Sequence, residues 1–131
     1  MADENKPFLK VRQEQGIVTV QFNDAQLLDE AHIMQVQTEL MALVDAAERP
    51  LMLIDFHNVD QLSSACLGAL LAVHKRVKEK KGQLRLANIQ PKLMKIFQIT
   101  LLDKVLRISA TRTGAMSVLQ RVAKEGGEES P

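Results

Sequence analysis

The chain moves between two hydrophobic rhythms. Near its start Leu9 and Val11 alternate with Lys10 and Arg12, and Val18, Val20 and Phe22 alternate with Thr19 and Gln21. A period of two marks half-buried strands, and the intervening Glu14-Gln15-Gly16 predicts a hairpin. Asn23–Gln26 breaks the pattern. From Asp29, a capping residue, to about Ala47 the period lengthens, so that Ile33, Val36, Leu40, Leu43 and Val44 share a helical face. Arg49-Pro50 ends that helix. Leu51–Ile54 is then an unbroken apolar run before Asp55, as in a strand buried on both faces. After the loop Asn58–Leu62, the residues Leu67, Leu70, Leu71, His74 and Val77 or Lys78 recur at helical spacing. Ser63 and Ser64 stand at the start of this helix, where a serine oxygen accepts from free first-turn amides, and Lys81-Gly82 supplies its stop.

The same alternation continues to the end. Leu84, Leu86 and Ile89 alternate with Arg85 as another strand, and Pro91 opens a short helix with Leu93, Ile96 and Phe97 inward. Leu102–Ile108 reads as a last strand. Thr113 caps a final helix carrying Ala115, Val118, Leu119 and Val122. Strands alternating with helices predict an α/β fold with crossovers and a mixed sheet. No internal repeat or linker divides the chain, so residues 1–131 are expected to form a single domain with flexible ends, about 1–7 and 125–131.

Composition narrows the function classes. Apolar residues make up 46% of 131, enough for a core without metals or disulfides. Basic and acidic residues nearly cancel, 17 against 16, which gives no global field to hold nucleic acid or an anionic membrane. Trp and Tyr are absent and Phe numbers four, so base-stacking platforms lack material. The single cysteine, Cys66, forms no internal disulfide. The N-terminus is polar and no apolar run approaches a membrane span, so a reduced, cytoplasmic setting is expected, without membrane insertion.

Read as bare residues, Ser63 and Ser64 are helix caps. Cys66 is a small buried hydrophobe, with a thiol activated by the helix dipole as the sharper alternative. His32, His57 and His74 show no paired spacing, so no metal is expected. The basic run His74-Lys75-Arg76, Lys78 and Lys80-Lys81 resembles a phosphate-binding stripe, but it also lies at a helix C-terminus, where cations are favoured anyway; a solvated helix end is the expectation. Asp55 and Asp60 flank the strand exit as paired carboxylates would, yet no base, nucleophile motif or Gly-rich loop accompanies them. Neither an enzyme nor a cofactor is expected.

From Asp55 to Ile108 the chain resembles a STAS domain, the fold of anti-sigma-factor antagonists and of the cytosolic tails of sulfate transporters. The family motif is a buried strand, then Asp-Ser-Ser-Gly-Leu-Gly, then a helix; the aligned residues here are Ser63-Ser64-Ala65-Cys66-Leu67-Gly68. The run Gln90–Phe97 followed by Leu102–Leu106 is similar to the family's Pro-led helix and last strand. The resemblance implies a sheet of about four to five strands with helices packed mainly on one face.

It also implies a binding switch. In antagonists of this kind a partner kinase binds around the serine and phosphorylates the first Ser of the motif, a position that Ser64 occupies, with Ser63 as the alternative acceptor. The implied partner is an anti-sigma factor or a serine kinase of the partner-switching type. The implied contact surface is Asn58, Asp60, Ser63, Ser64, Ala65, Cys66 and Gly68, together with the exposed side of the Pro91 helix. Two other readings stand beside it. One is a non-phosphorylated scaffold docking on a transport ATPase or stressosome-like assembly. The other is a small-molecule or nucleotide site at the same helix N-terminus.

Overall fold

The computed structural model describes residues 7–125. The hairpin forms as the alternation requires. Strands β1 (Leu9–Glu14) and β2 (Ile17–Phe22) pair antiparallel, and Glu14 opposite Ile17 leaves a two-residue loop. Both loop residues, Gln15 (φ 54°) and Gly16 (φ 82°), are left-handed, the twist that matches a hairpin. Helix α1 (Glu30–Asp45) follows, capped by the Asp29 carboxylate accepting from the His32 amide. Strand β4 (Leu51–Asp55) is buried along its whole length. Helix α2 (Ser64–Glu79), strand β6 (Gln83–Ala87) and helix α3 (Pro91–Ile99) come next. A short strand β7 (Arg107–Ser109) and helix α4 (Arg112–Lys124) end the order, in which two two-residue strands, β3 (Gln26–Leu27) and β5 (Gln61–Leu62), stand before α1 and α2.

The main sheet runs β1-β2-β4-β6-β7, antiparallel at the hairpin and parallel thereafter, so it is mixed and five-stranded. Alternate residues of the central strands feed two cores. Val18, Val20, Met52, Ile54, Leu84 and Leu86 meet α1, α2 and α3 on one face. Ile17, Leu51, Leu53 and Ala87 meet Ala115, Met116 and Leu119 of α4 on the other. The unbroken apolar run Leu51–Ile54 is thus explained: it has no solvent face.

Several expectations are corrected. Leu102–Ile108 is not one strand. Leu102–Lys104 forms a 3₁₀ turn, the Leu106 amide donates to the Leu102 carbonyl at 2.8 Å, and only Arg107–Ser109 pair with β6. A spacing of four, as between the buried Leu102 and Leu106, serves a helical turn as well as a strand. The cap of α4 is Thr111, whose hydroxyl accepts from the Gly114 amide, in place of Thr113. The buried face of α2 is Cys66, Leu67, Ala69, Leu70, Val73 and Val77, with Leu71 and His74 at its flank, because α1 packs beside it. Val11 is exposed on the edge strand. Strand β6 stops at Ala87 rather than reaching Ile89, since Asn88 turns left-handed (φ 60°). Of the ends expected to be flexible, residues 1–6 and 126–131 lie outside the described residues. Pro7 is tied through its carbonyl to Asn23, and Glu125 caps α4.

The stop after α2 separates two roles that the sequence lumps together. Lys81 takes the left-handed conformation (φ 60°), the Lys81 amide donates to the Lys78 carbonyl and the Gly82 amide to the Val77 carbonyl. Gly82 is needed for space: a Cβ there would collide with the Pro50 backbone carbonyl, to which the Gln83 amide donates at 2.9 Å. Gly82→Ala is therefore expected to destabilise the fold by about 1–3 kcal/mol through overpacking against backbone. Urea unfolding checks this, and a midpoint equal to wild type would refute the close approach.

Candidate functional site

The site is built where β4 leaves the sheet and the chain turns into α2. The first anchor is Asp55, the last residue of β4 and 3% exposed. Its Oδ1 accepts from the His57 amide at 3.0 Å and from Asn88 Nδ2 at 3.0 Å, and lies 3.2 Å from His57 Nδ1. Its Oδ2 accepts from Gln21 Nε2 at 3.4 Å. One carboxylate thus ties the ends of β2, β4 and β6. Burial alone would raise its pKa. The hydrogen bonds from Asn88 and from the His57 amide and ring outweigh that and hold it below the ordinary value of 3.8. Asp55 is fully engaged in holding the strand exit. Asp60, the carboxylate paired with it on sequence grounds, is half-buried five residues on, after the chain has turned, and the two share no hydrogen-bond partner among the described residues.

The second anchor is a two-residue parallel ladder that the sequence reading missed. Strand β3 (Gln26–Leu27) pairs with β5 (Gln61–Leu62). Around it the amides of Asp60 and Gln61 donate to the Ala25 carbonyl and the Ser63 amide to the Leu27 carbonyl. Two residues are too few for any hydrophobic period, so only the folded chain reveals them. The ladder carries the residues read as the loop Asn58–Leu62 up to the helix and buries Val59 and Leu62 beneath it. It also sets exposed Leu28 directly after its Leu27 rung, an apolar neighbour of the site absent from the sequence-derived set.

The two serines then separate. Ser63 is the N-cap of α2, in extended conformation, and its Oγ accepts from the Cys66 amide at 3.3 Å. Ser64 is the first helical residue and is exposed. One turn on, Gly68 shares its face and is exposed too; a Cβ there would meet nothing within 4 Å. Nothing within the fold calls for glycine at this place, although a helical glycine costs about 1 kcal/mol relative to alanine.

Of the other residues placed in the contact set, Asn58 is exposed, with Nδ2 donating to the Phe22 carbonyl at 3.4 Å, and Asp60 and Ala65 are half-buried. Cys66 lies beneath the surface. It is 3% exposed and burial pushes its thiol up to about 12, so its side chain offers neither a contact nor a nucleophile. On the exposed side of α3, Ile99 projects into solvent. Among the described residues, no three His, Cys, Asp or Glu side chains converge as a metal site would need, and no helix is long and apolar enough to cross a membrane.

Comparison with known proteins accords with this geometry. The family model of the STAS domain matches residues 9–125. A Bordetella bronchiseptica protein, BtrV, named as an anti-sigma factor antagonist, is 29% identical over 94 residues, which are 72% of this chain and 80% of that protein. An anti-sigma-factor antagonist (STAS) domain protein from Planctomyces limnophilus superimposes with a TM-score of 0.78 at 23% identity, over 85% of this chain and 97% of that one. The Bacillus cell fate determinant SpoIIAA, in its phosphorylated form, does so with a TM-score of 0.62 at 16% identity, over 83% and 96%. These two likenesses are likenesses of fold.

Asp55 generates a pH prediction. Its folded pKa is depressed, so its ionised form contributes stability that is fully present above 3.8 and lost as the pH falls through the lower folded value. Asp55→Asn is expected to cost about 1–3 kcal/mol near neutrality by leaving buried donors poorly matched, and to flatten the stability profile below pH 4. Chemical denaturation of both chains across that range measures it; parallel profiles would remove Asp55 from the account.

Proposed function

The chain belongs to the STAS domain family, and on that premise we propose that it is a protein-binding module of the anti-sigma-factor antagonist type, switched by phosphorylation of Ser64. The observation that carries this reading is the division of labour between the serines. Ser63 is occupied as the cap of α2, whereas Ser64 presents an exposed hydroxyl at the first helical position.

A phosphate on Ser64 adds nearly two negative charges and three acceptor oxygens. At the start of α2 that charge meets unpaired first-turn amides and the positive end of the helix dipole, so the domain itself tolerates it. A partner seated on the same surface does not. It meets repulsion and has to desolvate the phosphate, so capture is lost while the fold persists. The partner is an anti-sigma factor or a serine kinase of the partner-switching type, acting in the cytoplasm. It rests on Asn58, Asp60, Ser63, Ser64, Ala65 and Gly68, with the Cys66 backbone beneath them and Leu28 beside them. The bare backbone at Gly68 lets a partner approach the helix closely one turn after the acceptor. No catalytic step belongs to this role.

The test is phosphopeptide mapping of the protein from its native cells, followed by capture experiments with purified variants. Phosphate on Ser64 is expected. Ser64→Glu is expected to melt within about 0.5 kcal/mol of wild type, as surface changes do, yet to capture partner at least about tenfold more weakly. Gly68→Ala is expected to gain about 0.5–1 kcal/mol of stability while also weakening capture. A Ser64 unmodified across growth and stress conditions, with Ser64→Glu capturing as wild type does, would replace the switch by the constitutive scaffold on a transport ATPase or stressosome-like assembly.

A further inference from the structure

Charge balances over the whole chain but not within it. Between Arg12 and Lys75 the one Lys or Arg is Arg49, and between Lys75 and Lys124 the carboxylates are Glu79 and Asp103 alone. The fold sets this division at the two ends of α2. The Leu27 carbonyl accepts from the Ser63 amide, so the start of α1, with Asp24, Asp29 and Glu30, borders the first turn of α2. At the far end the basic run divides by face. Arg76 Nε donates to Asp45 Oδ1 at 2.8 Å and Lys80 Nζ to the Val44 carbonyl at 3.1 Å, so these two clasp α1. Lys78 and Lys81 face the segment Asp103–Ile108 instead, beside Lys104 and Val105. Among the described residues, Glu30, Lys92, Lys95 and Lys104 form no ion pair.

Exposed apolar side chains follow the same division. Among the described residues the large ones are Val11, Leu28, Met34, Ile99, Leu101 and Val105. Scattered singly they would be ordinary surface. All but Val11 fall instead in two short stretches. Leu28 and Met34 (69% exposed) flank the acidic start of α1, where Glu30 and Met34 stand four apart on one helical face. Ile99 (80%), Leu101 (63%) and Val105 follow one another from the end of α3 through the 3₁₀ turn. Lys92, Lys95 and Lys104 are exposed beside them, with Lys92, Lys95 and Ile99 at helical spacing. Leu101 also holds a left-handed conformation (φ 63°), which a β-carbon disfavours and which glycine, asparagine or aspartate adopts more readily. A leucine so exposed buries little in its own chain to offset that strain.

We propose that the chain associates head to tail with a second copy of itself, the Leu28–Met34 patch of one copy seating on the Ile99–Val105 patch of the next. Both patches carry apolar side chains to bury, and their charges are of opposite sign. An acidic partner of another kind would fit the basic patch alone, and a basic one the acidic patch alone. A second copy fits both. The net charge of +1 lets copies approach without overall repulsion. The patches lie at opposite ends of α2, a helix roughly 24 Å long, so each copy offers one patch to the neighbour before it and the other to the neighbour after it. Such a contact is heterologous and continues past the dimer. Leu28 also borders the surface around Ser64, but the contact joins unmodified chains and does not rest on a phosphoserine switch.

The test is sedimentation velocity of the purified full chain over a wide range of concentration. The average mass is expected to rise with concentration beyond that of a dimer, and to fall back at high salt, where exposed charges are screened. Met34→Lys places a cation in the acidic patch and Leu101→Asp a carboxylate in the basic one. Each is expected to weaken association at least about tenfold. Leu101→Asp is expected to melt at or above the wild-type temperature, because aspartate suits the left-handed position better. Lys95→Glu, on the exposed face of α3, blocks the same patch without touching that turn. Met34→Lys mixed with either of these leaves one whole patch on each chain, so the mixture is expected to form a dimer that grows no further. The proposal is overturned by a wild-type chain that stays monomeric or stops at the dimer, by association indifferent to salt, by Met34→Lys or Lys95→Glu assembling as wild type does, or by a mixture that stays monomeric.

Discussion

The burial of β4 on both faces is the constraint on which this structure rests. A strand without a solvent face needs a helix layer on each side, and the chain supplies them unequally: α1, α2 and α3 on one, α4 on the other. The strand must also end somewhere, and it ends on a carboxylate. Asp55 is charged, almost wholly enclosed and surrounded by donors from β2, from the turn after β4 and from the turn after β6. Such a group is tolerable only with its acceptors filled. Its satisfaction fixes where His57 and Asn88 sit, and so where the chain departs toward α2.

That departure gives α2 its two distinct ends. At the first, a two-rung ladder and a serine cap hold the backbone, leaving the next serine and a glycine one turn later facing outward. At the second, a left-handed lysine and a glycine pressed against Pro50 return the chain to β6. Arg76 and Lys80 grip α1 there, while Lys78 and Lys81 face the segment Asp103–Ile108. The helix itself is ordinary. Its chemistry lies in how each end is anchored.

Much of this was legible in the sequence, for reasons that can be named. α1, β2, β6 and α3 carry a hydrophobic period long enough to specify both an element and its buried face, and β4 an unbroken apolar run that marks a strand buried on both. Asp29, Pro91 and Gly16 mark their boundaries by side-chain chemistry. The motif around Ser64 was visible through its likeness to a family, and the structure adds the distinction between a cap and an exposed hydroxyl. The misreadings fall where the period is ambiguous or missing. Leu102 and Leu106 fit a turn as well as a strand, Thr111 and Thr113 are both able to cap, and a two-residue ladder has no period at all.

The sequence by itself therefore determined the order of the longer elements and the central buried strand, which follow from local pattern and spacing, and its motif at Ser63–Gly68 carried the resemblance to the family. Only the tertiary structure decided that Cys66 lies beneath the surface, that Asp55 is a structural carboxylate and that the basic run splits between two faces. It alone set Arg85 opposite Arg107. The reason is physical: burial, hydrogen-bond satisfaction and like-charge repulsion depend on neighbours distant in the chain, and no local period encodes which strand will lie beside which.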